Sequence, residues 1–324
     1  MRYRRLGRSD LDVPVLSFGC GNFGGVGSAP HLFGQGDDER SAYTMLDSAL
    51  DAGITMFDTA NSYGGGRSER WLGRWLVSRG VRDDVMLTTK VGNRVGPGAR
   101  DAGLSAGHIR EQVDASLRRL CTDRIDLYLT HVFDPDTPIE ESVGAFDELV
   151  RAGKIRYYGI SNVSGAQLGR AVAAAAELAA APPVNLQGAY NLLDRAAERD
   201  AFGVCADHGI GFTAYSPLAG GWLTGKYRPG ADAPVGSRLA LLPDWYGHLS
   251  KGAIFGVLDG LAAIAAQRGV ALATLALAWV VTDPAVTAAI IAPRSPAQLS
   301  ALCAALDVPL STRERAAISS TAPR

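Results

Sequence analysis

The chain has 324 residues, is 47% hydrophobic and 20% charged, and carries a formal net charge of −1. Such a chain can bury a large core, and because α/β barrels of about 250 residues are single domains, one domain over 1–324 is expected. The near-neutral charge gives no footing for a nucleic acid or a membrane surface, and the most apolar segment, Val270–Val281, is too short for a bilayer, which needs ~20 residues. No signal-peptide stretch follows Met1-Arg2-Tyr3-Arg4-Arg5. Cys20, Cys121, Cys205 and Cys303 are far apart, without CxxC or metal spacing, so reduced thiols in a cytoplasmic protein with no metal are expected.

Two short runs open the chain. Tyr3–Leu6 and Val13–Phe18 read as strands around the turn-rich Gly7–Asp12. Beyond Gly36 helical and β-branched runs alternate. Helix Asp38–Asp51 precedes strand Ile54–Asp58, and helix Ser68–Ser78 precedes strand Val85–Lys90. Helix Ser105–Leu120 leads to strand Ile125–His131, and helix Pro138–Arg151 to strand Arg156–Ile160. Helix Ser164–Ala180, whose alanine-rich stretch is simply a good helix former, leads to strand Val184–Gln187, and helix Arg195–His208 to strand Gly211–Tyr215. Helical runs near Gly252–Arg268 and Ala271–Val281 precede strand Ala288–Ile291 and helix Pro296–Ala305. With Val15–Phe18 as the first barrel strand there are eight βα units, which predicts parallel strands closed into a (β/α)8 barrel. Two irregular stretches interrupt the rhythm, Gly19–Gly36 and Ser216–His248, and long loops in compact domains are usually functional.

Gly19-Cys20-Gly21-Asn22-Phe23-Gly24 matches a GxGxxG dinucleotide fingerprint and follows a strand. That fingerprint requires a helix to open on its last glycines. Here Gly25, Gly27, Pro30, Gly34 and Gly36 follow, which is loop chemistry.

The informative feature is where polar residues end the apolar strands. Asp58 follows Ile54-Thr55-Met56-Phe57, Lys90 follows Val85–Thr89, and His131 follows Leu127–Thr130. Ser161 and Asn162 follow Tyr157–Ile160, while Gln187 and Tyr215 end their own strands. In a barrel all strand C-termini share one rim, so these groups converge on one mouth. A lysine there needs a carboxylate, which Asp58 on the neighbouring strand can supply. Tyr63, five positions further on, reaches the same mouth. A nearby ammonium should lower the phenol pKa from ~10 and make Tyr63 a usable proton donor. His131 can orient a carbonyl oxygen by hydrogen bonding. Taken singly, Asp58 and Lys90 form a structural ion pair, Tyr63 a packed loop aromatic and His131 a core histidine; together they describe a site.

Phe57–Gly64, Thr88-Thr89-Lys90, Leu127–His131, Tyr158–Asn162, Gln187 with Tyr190-Asn191, and Ala214–Leu218 resemble the catalytic signatures of the aldo-keto reductases, in combination and in order from Tyr3 to about Ala305. The branch resembled is nearer the bacterial and channel-β-subunit-like enzymes than the aldose reductases. The resemblance implies a barrel closed at the bottom by an N-terminal hairpin, with Tyr63 as acid, Lys90 and Asp58 as its tuners and His131 as carbonyl orienter. It implies NADP(H) as cofactor and a small carbonyl compound as substrate. Ser161, Asn162 and Gln187 would bind the carboxamide, Tyr215 would stack on the nicotinamide, and Gly21 joins the cofactor set. Ser216, Leu218, Gly220, Leu223 and Lys226 would hold the pyrophosphate, largely through backbone. Arg294, Ser295 and Gln298, in the run Ala292–Leu299, resemble the grip on the adenosine 2′-phosphate. A bidentate Arg294–phosphate contact is the physical reason to expect NADPH over NADH.

The chain departs from many such relatives at Ala292, where they carry glycine, and at Ala301 and Leu302, where they carry an acidic residue and an asparagine. With Gln298 and Leu302 on one helix face, Leu302 is expected to meet the adenosine and to loosen its grip. A non-catalytic regulatory subunit is the alternative function. A barrel glycosidase would need two carboxylates, and only Asp58 stands at a strand end. His31, Phe33, Trp222, Trp245, Tyr246 and His248 either line a substrate pocket or pack the loops.

Overall fold

A computed structural model describes residues 1–98, 100–250 and 253–322; nothing is said of the backbone outside these, nor of the His248 side chain. An antiparallel hairpin, β1 (Tyr3–Arg5) and β2 (Asp12–Pro14), precedes eight parallel strands. These are β3 (Leu16–Gly19), β4 (Met56–Asp58), β5 (Met86–Val91), β6 (Ile125–Thr130), β7 (Ile155–Ser161), β8 (Asn185–Ala189), β9 (Gly211–Tyr215) and β10 (Ala288–Ile291). They pair in chain order and close where β10 meets both β9 and β3, forming a (β/α)8 barrel. Around it lie α1 (Glu39–Asp51), α2 (Arg67–Arg79), α3 (Ala106–Leu120), α4 (Ile139–Arg151), α5 (Gly165–Glu177) and α6 (Ala201–His208). The one-turn helices α7 (Arg238–Leu241) and α8 (Pro243–Tyr246) lie in the long loop after β9. Then come α9 (Ala253–Gln267), α10 (Leu272–Val281), α11 (Pro296–Cys303) and α12 (Thr312–Ser320).

The two-residue period of a strand decides what the barrel encloses. Phe18, Phe57, Leu87, Tyr128, Tyr158, Leu186, Phe212 and Ala289 point outward and join the helices in one continuous core. Residues of the other parity face inward. At the lower end these are apolar: Met56, Leu127, Leu129 and Ala288 pack with Leu6, Leu11 and Val13 of the hairpin, so the hairpin plugs the barrel's bottom as expected. Gly7, in its turn (φ +54°), lies so close to Val184 O and Gly209 O that a Cβ would stand 2.6–2.7 Å from them. At the upper end the same inward parity delivers Asp58, Lys90, Ser161, Gln187 and Tyr215.

Several boundaries differ from the sequence expectation. The fifth helix stops at Glu177, with Ala179 at φ +51°, because Pro182-Pro183 forbids continuation however good the alanines are. Arg195–His208 is broken: a short 3-10 turn at Ala196–Glu198 precedes α6. Gly252, the expected start of the ninth helix, lies outside the described residues. The GxGxxG segment is loop, bridged by Phe23 to Asp37 and opening no helix. Among the described residues no single helix is long and apolar enough to cross a membrane; α9 and α10 together reach that composition but meet at 90°, and α10 is buried along nearly its whole length.

Candidate active site

Four sequence-expected residues meet at the mouth. Lys90 Nζ donates to Asp58 Oδ1 at 2.5 Å and to Thr59 O at 2.8 Å, with side-chain exposures of only 1% for Lys90 and 4% for Asp58. Gln187 Nε2 donates to Asp58 Oδ2 at 2.9 Å, so the carboxylate is held from two sides. The Lys90 ammonium lies 5.1 Å from the centroid of the Tyr63 ring. Tyr63 opens the turn after β4, backed by Gly21, where a Cβ would touch its ring at 3.6 Å. Its hydroxyl stands 3.5 Å from His131 Nε2. His131 follows β6, with its amide bonded to Val91 O at 2.7 Å and its carbonyl accepting from Asn162 Nδ2 at 2.7 Å.

Burial pushes the Tyr63 phenol up, and Lys90 offsets this only in part. That corrects the expectation of a lowered phenol pKa: enclosure outweighs the ammonium. Burial also disfavours a charged Lys90, but Asp58 and then Tyr63 overcome it, and the amine is held above its ordinary value. Burial, aided by Lys90, pushes His131 well below the usual imidazole range, so its ring is neutral. The cluster thus presents a protonated phenol and a neutral imidazole over a buried ion pair.

The remaining expected residues follow round the rim from β7 to β10. Ser161 ends β7 with its buried Oγ unpartnered among the described residues. Asn162 sits at φ +59° and accepts from Tyr215 OH at 2.8 Å; burial pushes the Tyr215 phenol up to about 12. Ser216, also left-handed at φ +51°, has its carbonyl tied to Asn191 Nδ2 at 3.0 Å. Leu218 leads into the 3-10 turn Ala219–Thr224, where Gly220 and Gly221 have positive φ. Leu223 is wholly buried, backbone included, and its amide donates to Leu218 O at 3.3 Å, so it presents no group to the rim. Lys226 is exposed, its ammonium 5.2 Å from the Tyr227 ring centroid. Arg294 Nε donates to Asp37 Oδ1 at 3.1 Å. Ser295 caps α11 by accepting from Gln298 N at 3.2 Å, and Gln298 Oε1 accepts from Arg294 N at 2.8 Å.

Leu302 does not behave as expected. It is 9% exposed and packs into the main core with Leu299, while Gln298 stays exposed. The loop aromatics also divide. Phe33 packs on Gly25 and Gly65, Trp222 is core, and Tyr246 lies on Gly220 with its hydroxyl 3.2 Å from Ser216 Oγ. Trp245 and His31 are exposed.

Two residues at the mouth went unread in the sequence. Arg238 Nη2 donates to Asn22 Oδ1 at 2.6 Å and has no carboxylate salt bridge among the described residues. Burial pulls its pKa down against the weaker pull of Tyr246, Tyr63 and Asp37, yet a guanidinium stays charged. Asn93 Nδ2 lies 3.1 Å from His131 Nδ1. Neither ends a strand, so strand parity gave no signal; a cation within a long βα loop was the available hint for Arg238.

Fold and site together define a (β/α)8-barrel protein with a Tyr–Lys–Asp–His cluster at the C-terminal rim of its strands. The sequence model of the aldo/keto reductase family matches residues 15–322, and the chain belongs to that family of oxidoreductases. It is 38% identical over 314 residues to a probable voltage-gated potassium channel subunit beta of Arabidopsis thaliana, covering 95% of this chain and 92% of the relative. It is 38% identical over 319 residues to the oxidoreductase YrpG of Bacillus subtilis, covering 96% and 92%. It is 33% identical over 332 residues to L-glyceraldehyde 3-phosphate reductase of Escherichia coli, covering 98% and 91%.

Proposed function

We propose that this protein is an NADPH-dependent carbonyl reductase acting on a small aldehyde, ketone or ketosugar in the cytoplasm, where its four free cysteines would stay reduced. The observation that carries the reading is the meeting of Tyr63 OH and His131 Nε2 at 3.5 Å above the Lys90–Asp58 pair. When bound, the reduced nicotinamide supplies a hydride to the carbonyl carbon. Tyr63 gives its proton to the carbonyl oxygen as charge develops there, and His131 hydrogen-bonds the same oxygen. Lys90, fixed by Asp58, stabilises the phenolate left behind.

The residues present fit that cofactor. The Ser161 Oγ, unpartnered among the described residues, the Asn162 amide and the carbonyl of Gln187 suit the carboxamide. Tyr215 offers its ring face to the nicotinamide. Ser216, Leu218, Gly220 and Lys226 would supply backbone and charge for the pyrophosphate, while Arg294, Ser295 and Gln298, at the start of α11, suit the 2′-phosphate. Arg238 adds a cation whose one hydrogen-bond partner among the described residues is an amide oxygen.

A regulatory subunit is the second reading, favoured by the description of the plant relative as a channel β subunit. The complete Asp58, Tyr63, Lys90, His131 set weighs toward catalysis. The test is NADPH consumption against aldehydes, ketones, ketosugars and quinones, with Arg294→Ala in parallel. The reading expects turnover with at least one class, and in Arg294→Ala an NADPH affinity lower by about tenfold or more with NADH nearly untouched. NADPH binding with no turnover on any class would favour the regulatory reading.

A further inference from the structure

His131 is neutral, so it carries one ring proton, and its use depends on which nitrogen holds it. A bare Nε2 facing Tyr63 would accept the phenol's proton and draw it away from the substrate. A protonated Nε2 would donate to the substrate's oxygen alongside Tyr63. The choice is made on the far side of the ring, at Nδ1, by whatever that atom bonds.

We infer that Asn93 is a positioning residue that fixes the proton of His131 on Nε2. It lies three residues beyond Lys90, in the loop after β5. Its amide nitrogen stands 3.1 Å from His131 Nδ1 and 3.2 Å from Ser28 Oγ. Ser28 Oγ in turn is 2.7 Å from Ser62 Oγ, the residue preceding the proposed acid. An amide nitrogen only donates, so the Nδ1 it faces is the bare nitrogen and Nε2 bears the hydrogen. The imidazole is pinned through its own backbone on both sides, at Val91 O and Asn162 Nδ2. The amide nitrogen also meets Ser28, and the two serines tie it to the loop that carries Tyr63. The loops after β3, β4, β5 and β6 together therefore set the polarity of the donor pair. The opposite amide orientation would put a carbonyl oxygen on Nδ1 and leave Nε2 bare.

This inference rests on the reductase reading for its catalytic meaning, but its test does not depend on turnover. Nitrogen-15 NMR of histidine-labelled protein reports the tautomer of each of the five histidines, and His131→Gln assigns the signal. The expected result is Nε2–H for His131 in the wild type. Asn93→Asp places an acceptor opposite Nδ1 and should move the proton there. In that variant kcat should fall about tenfold or more, while NADPH affinity stays within about twofold and substrate KM changes little. Asn93→Ala should give a mixed tautomer and a smaller loss. An Nδ1–H signal in the wild type would overturn the inference, as would a tautomer indifferent to both variants. If Asn93→Asp does not fold, the wild-type spectrum still decides. Normal turnover in Tyr63→Phe would defeat the reductase reading and leave the tautomer result standing.

Discussion

Lys90 and Asp58 are a charge pair almost sealed from water at the top of a barrel whose outward strand faces are apolar. Removing one partner strands the other, which costs about 3–5 kcal/mol, whereas replacing both with apolar groups is often close to neutral. Lys90→Met should therefore lower the unfolding free energy by about that amount, and Asp58→Leu with Lys90→Met should recover most of it. Urea unfolding checks this; a single variant as stable as the wild type would mean that water reaches the pair. The pH dependence follows from the directions at the other two groups. If Tyr63 is the acid, as proposed, its reactive form is protonated; its pKa is raised above 10, so the reduction rate should hold its plateau past the ordinary phenol value and fall only above it. His131 is held well below 6.5, so it should add no acid-side inflection at the usual imidazole position. A rate falling between about pH 7 and 9 would show Tyr63 to be a stronger acid than its burial implies. Asp58 and Lys90 were legible because each stands at the C-terminal end of its strand. The sign of the Tyr63 shift was not, because enclosure is a property of the assembled loops.

At the scale of the element, α11 shows how far helical periodicity reaches. Residue 302 is offset by about 40° from 298 and by about 60° from 299 around the axis, so spacing alone assigns it to neither. Packing decides: Leu302 goes with Leu299 into the core. Leu302→Asn should thus lower stability by about 1–3 kcal/mol by burying an amide, with no tightening of NADPH. Thermal unfolding with a cofactor titration checks both parts, and a stable variant with higher NADPH affinity would return Leu302 to the adenosine side. The last helix, α12, escaped a search for apolar periodicity because Ile318 is its one buried residue among those described. It was still legible in another register, the capping box of Ser311 and Glu314. Its hold on the barrel is largely polar: Arg315 reaches Asp283 Oδ2 at 2.6 Å and Trp279 O at 3.0 Å.

Across the whole molecule, the alternation of runs announced eight βα units, and strand parity turned that count into a site. Outward residues made the shell core, inward residues below met the hairpin plug, and inward residues above became the polar mouth. What escaped was carried by loops. Arg238 and Asn93 lie where no period applies, and only the folded chain brings one to Asn22 and the other to His131. The proposed reaction at this mouth is reduction of a carbonyl with Tyr63 as the proton donor. Its most direct test is single-turnover stopped-flow of Tyr63→Phe with NADPH already bound and the best carbonyl substrate of the wild type added. The ring and its packing remain and only the hydroxyl is lost. With Tyr63 as the donor, NADPH affinity should stay within about twofold of the wild type and hydride transfer should slow by about 10²-fold or more. Hydride transfer at a near-normal rate in that variant would contradict that role.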